Sequence, residues 1–127
     1  ILYSYDEEND LALVAIKQDV PALELSPKPE PGWWAVAVGT PYGLEGTVSI
    51  GNIMNMEGTD VIATTPLNSG NSGGPLINSM GQVIGTNSWV LTGDDDPQDW
   101  NVAVAHRALC KELVDCGVHR GWDWNDY

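Results

Sequence analysis

Ser72 lies inside the glycine-rich segment LNSGNSGGPLIN of residues 67–78, which also contains Ser69. Glycine permits positive φ angles and a close approach of two backbones, and it loses more conformational entropy on folding than other residues. Gly70, Gly73 and Gly74 therefore indicate either a tight turn or a loop whose backbone amides face a ligand. Because Asn, Ser and Gly are also ordinary turn residues, the segment alone does not decide between a polar hairpin turn and a reactive site.

The chemistry open to Ser72 depends on its neighbours in space. A serine hydroxyl becomes an effective nucleophile only beside a base that takes its proton. Attack on a peptide carbonyl creates an oxyanion, which fixed backbone N–H groups stabilise. The two histidines of the chain, His106 and His119, both follow Ser72, and Asp10 stands directly before an apolar run. Taken alone, Asp10 is a solvated acid at the start of a strand.

The charge of the chain excludes several kinds of partner. Five basic residues against eighteen acidic ones give a formal net charge of −13, which repels nucleic acid and anionic membranes. No apolar run is long enough to span a bilayer, so we expect no membrane contact by this piece. The acidic clusters at residues 6–10 and 94–99 are predicted to be solvated loops, and neither has the EF-hand spacing for calcium. We predict no metal and no cofactor.

The two cysteines, Cys110 and Cys116, are six positions apart. A bridge is possible if Cys116 lies past a helix end, where Gly117 can turn the chain. This disulfide is the pairing we predict, and it would imply an oxidising compartment. Two alternatives stay open, namely a zinc site that adds His106 and His119, and two reduced, buried thiols.

The elements that must position these residues are mostly strands. At 43% hydrophobic, the 127 residues are enough for one domain with a core. Residues 20–32 carry four prolines and predict a connection between two structural units. Apolar runs at near-regular spacing predict strands, and helical periodicity appears only near the C-terminal end. The predicted strands cover 11–16, 33–39, 44–56, 60–65 and 81–91, and the predicted helix covers 106–116.

Four blocks, in order, resemble bacterial trypsin-like serine proteases of the Deg (high-temperature-requirement) type. NDLALVAIK is similar to the strand that carries the catalytic aspartate, and AVAVGTPYGLEGTVSIGNI to a turn and the strand after it. TPLNSGNSGGPLINSMGQVIGTN resembles the segment around the nucleophilic serine, and NVAVAHRALCKEL the last strand and closing helix. The resemblance covers roughly Asn9 to Leu113.

The resemblance implies an all-β fold, the C-terminal six-stranded barrel of a chymotrypsin-like double barrel. Residues 1–20 would hold one strand of the missing first barrel, residues 21–32 the Pro-rich connection, and residues 33–127 the second barrel with its closing helix and tail. The function implied is that of a serine endopeptidase acting on polypeptides, needing no cofactor and located outside the cytoplasm.

The same resemblance assigns roles to single residues. Ser72 would be the nucleophile, Asp10 the acid that orients a histidine, and the amides of Gly70 and Ser72 the oxyanion hole. The substrate-binding positions would be Leu67, Asn87, Ser88 and Val90, which lack an acidic side chain and so suit a small or aliphatic residue.

The family's histidine precedes the aspartate, and no histidine precedes Asp10 here. We therefore expect the base upstream of Ile1 and this piece alone to be inactive. The alternative is a pseudo-protease that binds or scaffolds peptides.

Overall fold

The computed structural model describes residues 1–68, 70–93, 96–114, 116, 118–119 and 122–123. Nearly all of the regular elements are strands, as the sequence predicts. The elements, in chain order, are β1 Leu2–Asp6, β2 Leu11–Val14, β3 Trp34–Gly39, β4 Thr47–Glu57, β5 Asp60–Ala63, β6 Pro75–Ile77, β7 Val83–Gly93, β8 Asp96–Ala105, α1 His106–Glu112, β9 Val118–His119 and β10 Trp122–Asp123.

Six of the strands close into an antiparallel barrel in the order β3-β4-β5-β8-β7-β6, which confirms the predicted barrel. Alternate residues of each strand point inward, because successive side chains of a strand face opposite sides. Small side chains dominate the apolar interior, as expected where only six strands close into a barrel. The buried interior consists of Ala35, Ala37, Ile53, Val61, Ala63, Leu76, Ile84, Ala103 and Ala105.

The first fourteen residues form a separate two-stranded sheet, in which β1 pairs antiparallel with β2. The sequence predicts only the second of these strands. The turn between them is organised by Asp6, whose carboxylate accepts hydrogen bonds from the amides of Glu8 (3.1 Å) and Asn9 (3.2 Å). The first acidic cluster is therefore a capped hairpin turn. Leu11 attaches the hairpin to the barrel by packing against Val104 and Ala108.

The proline-rich connection follows the barrel surface. Its residue Leu25 forms a parallel bridge to Val83, and the amide of Ser26 donates to the carbonyl of Val83 at 2.8 Å. Ser26 is fully buried, and its carbonyl accepts a hydrogen bond of 2.7 Å from Nε2 of His106, the first residue of α1. The connection thus lies between β7 and the closing helix.

The two cysteines are joined by a disulfide that runs from the buried Cys110 in α1 to Cys116 beyond the helix. The predicted pairing is therefore present. Because both sulfurs are in the disulfide, they are not available as ligands for the alternative zinc site. The side chain of His119, which that site would also need, lies outside the described part. No group of three or more His, Cys, Asp or Glu side chains among the described residues is arranged to hold a metal. Within the same residues, no helix is long and apolar enough to cross a membrane.

Candidate active site

The glycine-rich segment forms a sharp elbow between β5 and β6. Gly70 has a φ of +105°, a conformation that L side chains rarely adopt. Its carbonyl accepts a hydrogen bond of 3.2 Å from the amide of Thr40. A Cβ atom at Gly70 would lie 2.7 Å from both the Cα atom of Pro41 and the carbonyl oxygen of Thr40. Glycine is thus required here both for its φ angle and for the approach of the elbow to the β3–β4 loop.

The elbow presses against the end of β3 through two further glycines. A Cβ atom at Gly74 would lie 2.5 Å from the carbonyl oxygen of Val38, and one at Gly39 would overlap Oδ1 of Asn71. Asn71 is consequently fully buried beneath the turn. Gly73 has a φ of +85°, and a Cβ atom added there would meet only open space. Its role is to turn the chain.

The amides of Gly70 and Ser72 are the donors that the sequence assigns to an oxyanion hole. Among the described residues, no group accepts a hydrogen bond from either amide. The adjacent amides are used inside the turn: that of Asn71 donates to the carbonyl of Asn68 at 3.1 Å, and that of Gly73 to the carbonyl of Asn87 at 2.7 Å. The elbow therefore has two amide donors without an internal acceptor, on either side of Asn71.

Ser72 and Asp10 are brought to one place through Ser88. Oγ of Ser72 donates to the carbonyl oxygen of Ser88 at 2.8 Å. Oγ of Ser88 in turn donates to Oδ2 of Asp10 at 2.5 Å. The fold thus joins the two predicted catalytic residues, although Asp10 lies in the turn of the hairpin and Ser72 in the elbow between two barrel strands. The sequence placed Ser88 only in a pocket wall, and its contact with Asp10 depends on packing that no local pattern reveals.

Asp10 owes its position to the hairpin turn. It has a φ of +54°, which Asp tolerates better than most residues, and it directly precedes β2. The neighbouring Asn9 accepts a hydrogen bond of 3.3 Å from Oγ1 of Thr59, next to β5. The end of the hairpin that carries Asp10 is therefore fixed to the barrel on both sides.

Of the two histidines, His106 is buried at the start of α1 and hydrogen-bonded to the proline-rich connection. Its side chain is 3% exposed, and Nε2 donates to the carbonyl of Ser26. Burial lowers the pKa of His106, because the imidazolium form loses hydration; the hydrogen bond to Ser26 opposes this shift only partly. The ring is thus a neutral structural group. The side chain of His119 lies outside the described part of the chain.

The predicted substrate-binding residues border the site to different degrees. Leu67, Ser88 and Val90 are half-buried, and Trp89 between the last two is exposed. Asn87 is only 1% exposed, and its amide nitrogen donates to the carbonyl of Pro75 at 3.1 Å. Its Oδ1 accepts from Asn101 at 3.0 Å. Asn87 therefore holds the wall of the site from inside the barrel.

Comparison with known proteins adds an independent finding. Residues 1–85 match the family model described as a trypsin-like peptidase domain. A protein of Chlamydia pneumoniae named "Probable periplasmic serine endoprotease DegP-like" is 41% identical over 134 aligned residues, which cover 92% of this chain and 27% of that protein. A protein of Hahella chejuensis with the same name is 35% identical, with 95% of this chain and 29% of that protein covered.

The fold is also similar to that of a solved structure, the serine endoprotease from Yersinia pestis. The TM-score is 0.78 at 28% sequence identity, and the match covers 87% of this chain and 41% of the other. The aligned part is 27% of the length of the Chlamydia pneumoniae protein and 29% of that of the Hahella chejuensis protein. The present chain thus spans about a quarter to a third of the length of these curated relatives.

Proposed function

Because this chain belongs to the trypsin-like peptidase family, we propose that it supplies the nucleophile, the orienting acid and the oxyanion hole of a serine endopeptidase. The observation that carries the proposal is that Ser88 contacts both residues: its backbone carbonyl accepts from Oγ of Ser72, and its own hydroxyl donates to Asp10. A trypsin-like mechanism needs a histidine between such a serine and such an acid. Ser72 and Asp10 would be the two ends of that arrangement.

The reaction proposed is acyl transfer to Ser72. Oγ of Ser72 attacks the peptide carbonyl carbon while the histidine takes the hydroxyl proton, and the carbonyl oxygen becomes an oxyanion. The amides of Gly70 and Ser72 stabilise this oxyanion, and the histidine then protonates the leaving amine. Water hydrolyses the resulting ester by the same steps, which regenerates Ser72. Asp10 holds the histidine in the required tautomer and stabilises the imidazolium.

The base in this proposal is a histidine outside the 127 residues. His106 is engaged by Ser26 and buried at the helix start, so it is not placed to serve Ser72. In this chain the Ser72 hydroxyl instead donates to the Ser88 carbonyl, which does not take a proton at neutral pH. We therefore propose that the chain alone does not hydrolyse peptides.

The surroundings of Ser72 support a polypeptide substrate with a small or aliphatic side chain in the primary pocket. Leu67, Ser88 and Val90 introduce no charge, so a lysine or arginine side chain would lack a partner there. The periplasmic location named for the relatives, together with the disulfide between Cys110 and Cys116, supports an extracytoplasmic location for this protein.

The test is covalent labelling of Ser72 with a fluorophosphonate, followed by intact-mass measurement. The full-length protein should form one adduct that is absent in Ser72→Ala, and the 127-residue chain should form none. Ser79→Ala, which removes an exposed hydroxyl elsewhere, is the matched control and should label normally.

A folded full-length protein that forms no adduct would favour the pseudo-protease, in which the elbow binds peptides without chemistry. If the isolated 127-residue chain formed the adduct as fast as the full-length protein does, the proposal that the base lies outside these residues would be contradicted. An adduct that survives in Ser72→Ala would remove Ser72 from the proposed mechanism.

A further inference from the structure

The hairpin that carries Asp10 is attached to the rest of the molecule through the next residue, Leu11. The side chain of Leu11 is 8% exposed, against 55% for Val14 at the other end of the same strand. Leu11 is buried against Val104 of β8 and Ala108 of α1. Because Leu11 is bonded to Asp10, its packing helps to fix the position of the Asp10 carboxylate.

The end of the closing helix belongs to the same apolar cluster. Leu109 and Leu113 are half-buried and pack against the group formed by Leu11, Val104 and Ala108. Leu109 lies within α1, whereas Leu113 is the residue that follows the helix. The amide of Leu113 donates to the carbonyl of Leu109 at 3.0 Å. The surface that holds the hairpin thus includes the turn that ends α1.

The closing helix is short and depends on support at both ends. It has seven residues, and no side chain caps its N-terminus. Isolated helices shorter than about 12–15 residues are marginal in water. The start of α1 is held by the hydrogen bond from His106 to the carbonyl of Ser26. Its end is held by the disulfide from Cys110 to Cys116, which closes a loop that contains Leu113.

We propose that this disulfide keeps the hairpin of Asp10 docked on the barrel. The bridge restrains the loop that contains Leu113, and this loop and α1 cover Leu11. The redox state of Cys110 and Cys116 is thereby transmitted to Asp10, so the two cysteines are positioning residues rather than catalytic ones. The effect on chemistry rests on the proposed function, whereas docking of the hairpin can be measured without it.

A dithiol reductant opens the bridge by thiol–disulfide exchange. Its thiolate attacks Sγ of Cys116, which is half-buried, whereas Cys110 is only 5% exposed. The S–S bond breaks, and Cys110 leaves as a thiolate. The second thiol of the reductant then displaces Cys116 from the mixed disulfide. The reductant ends as a disulfide, and the two cysteines gain its two electrons and two protons.

The first measurement is amide hydrogen exchange of the full-length protein with and without dithiothreitol, read by mass spectrometry of peptides. The peptide that covers β2, Leu11–Val14, should exchange about tenfold faster after reduction, the order expected when an apolar side chain is partly released. It should still exchange faster than the peptide that covers β3, Trp34–Gly39, because the hairpin opens while the barrel stays folded.

Two kinds of variant separate this route from other effects of the reductant. In the double variant Cys110→Ser, Cys116→Ser, β2 should exchange fast both with and without dithiothreitol. Leu113→Ala keeps the disulfide but removes its apolar contact, so β2 should exchange faster without any reductant. Leu23→Ala is the matched control for Leu113→Ala, because Leu23 is 56% exposed in the proline-rich connection. This control should exchange like wild type.

The second measurement is the rate constant for fluorophosphonate labelling of Ser72 in the same samples. In wild type it should fall on reduction, in proportion to the fraction of molecules whose hairpin is docked, and recover on reoxidation. In the double variant it should not respond to dithiothreitol.

Exchange of β2 that is unchanged by reduction and by Leu113→Ala would overturn the inference. A single exchange rate shared by β2 and β3, before and after reduction, would also overturn it, because the hairpin would then open only with the barrel. If β2 exchange rises but labelling does not follow the docked fraction, the docking inference holds and the role proposed for Asp10 is contradicted.

Discussion

The hydroxyl of Ser88 donates a hydrogen bond of 2.5 Å to the carboxylate of Asp10, across 78 positions of sequence. This bond joins the barrel to the hairpin at the point where the proposed chemistry takes place. It also uses one carboxylate oxygen of Asp10 and leaves the other for the histidine of the proposed mechanism. Ser88 is therefore a positioning residue for the acid.

Removal of the Ser88 hydroxyl should slow the reaction without unfolding the protein. In Ser88→Ala of the full-length protein, we expect the rate constant for fluorophosphonate labelling to fall about tenfold, the order expected for one partly exposed hydrogen bond to a charged group. Ser88→Thr keeps the hydroxyl and should recover most of the rate. Equal rates in Ser88→Ala and wild type would show that Asp10 does not depend on this bond.

Two glycines of the elbow should differ in their tolerance of alanine. Gly70 and Gly73 both have positive φ, so alanine at either costs about 1 kcal/mol of folding free energy from backbone strain. At Gly70 the added Cβ would also lie 2.7 Å from Pro41, and such overpacking adds about 1–3 kcal/mol. Urea denaturation should therefore show a larger loss for Gly70→Ala than for Gly73→Ala. Equal losses would mean that the elbow does not press on the β3–β4 loop.

The stability of the chain should depend on pH through His106. Burial lowers its pKa, so the unfolded chain binds the proton at a higher pH than the folded chain does. Stability rises with pH wherever the unfolded state binds more protons. The contribution of His106 is thus complete above the ordinary pKa of 6.5, and it is lost as the pH falls through the lower folded-state pKa.

His106→Gln keeps a donor for the Ser26 carbonyl but does not titrate. The free energy of unfolding, measured between about pH 5 and 7.5 for both proteins, should decline more steeply in wild type on the acidic side. His119 is present in both, so its titration cancels in the difference. If the free energy of unfolding changed with pH in the same way in both proteins, protonation of His106 would not destabilise the folded state.

The disulfide should stabilise the end of the barrel. On the chain-entropy model, a loop of this length gives about 2 kcal/mol. Replacement of both Cys110 and Cys116 by serine should therefore lower the midpoint of thermal unfolding, and dithiothreitol should lower that of wild type but not that of the variant. Free thiols detected in the denatured, unreduced chain would contradict the bridge between the two residues.

Much of the fold follows from patterns within single elements. The strand predicted at residues 33–39 is present as Trp34–Gly39, because alternating side chains and flanking turns indicate such a strand locally. The six-stranded barrel was instead what the family resemblance implied, and the order of its strands was not predicted. Strand β1 was missed because its five residues precede an acidic turn and become a strand only by pairing with β2. The second acidic cluster was predicted to be a loop, whereas β8 begins at Asp96; Asp94 and Asp95 lie outside the described residues.

The candidate site was less predictable than the barrel. The types and spacing of Gly70, Ser72 and Gly74 left both a polar hairpin turn and a reactive elbow open, and only the family resemblance favoured the elbow. The role of Ser88 depends on contact between two sheets, which no periodicity encodes. Asn87, which precedes Ser88 in the sequence, was predicted to bind substrate. Its side chain faces the core of the barrel.

The hairpin that carries Asp10 forms a sheet of its own, joined to the barrel by a few contacts at Leu11, Asn9 and Asp10. Two-stranded sheets are only marginally stable by themselves. Proteins open locally, and the regions with the fewest tertiary contacts open at the lowest free energy. Detachment of β1 and β2 would therefore remove the acid from Ser72 while the six-stranded barrel stays intact. In the 127-residue chain, the contact between Ser88 and Asp10 then lasts only as long as the hairpin stays docked, which can be far shorter than the lifetime of the folded barrel.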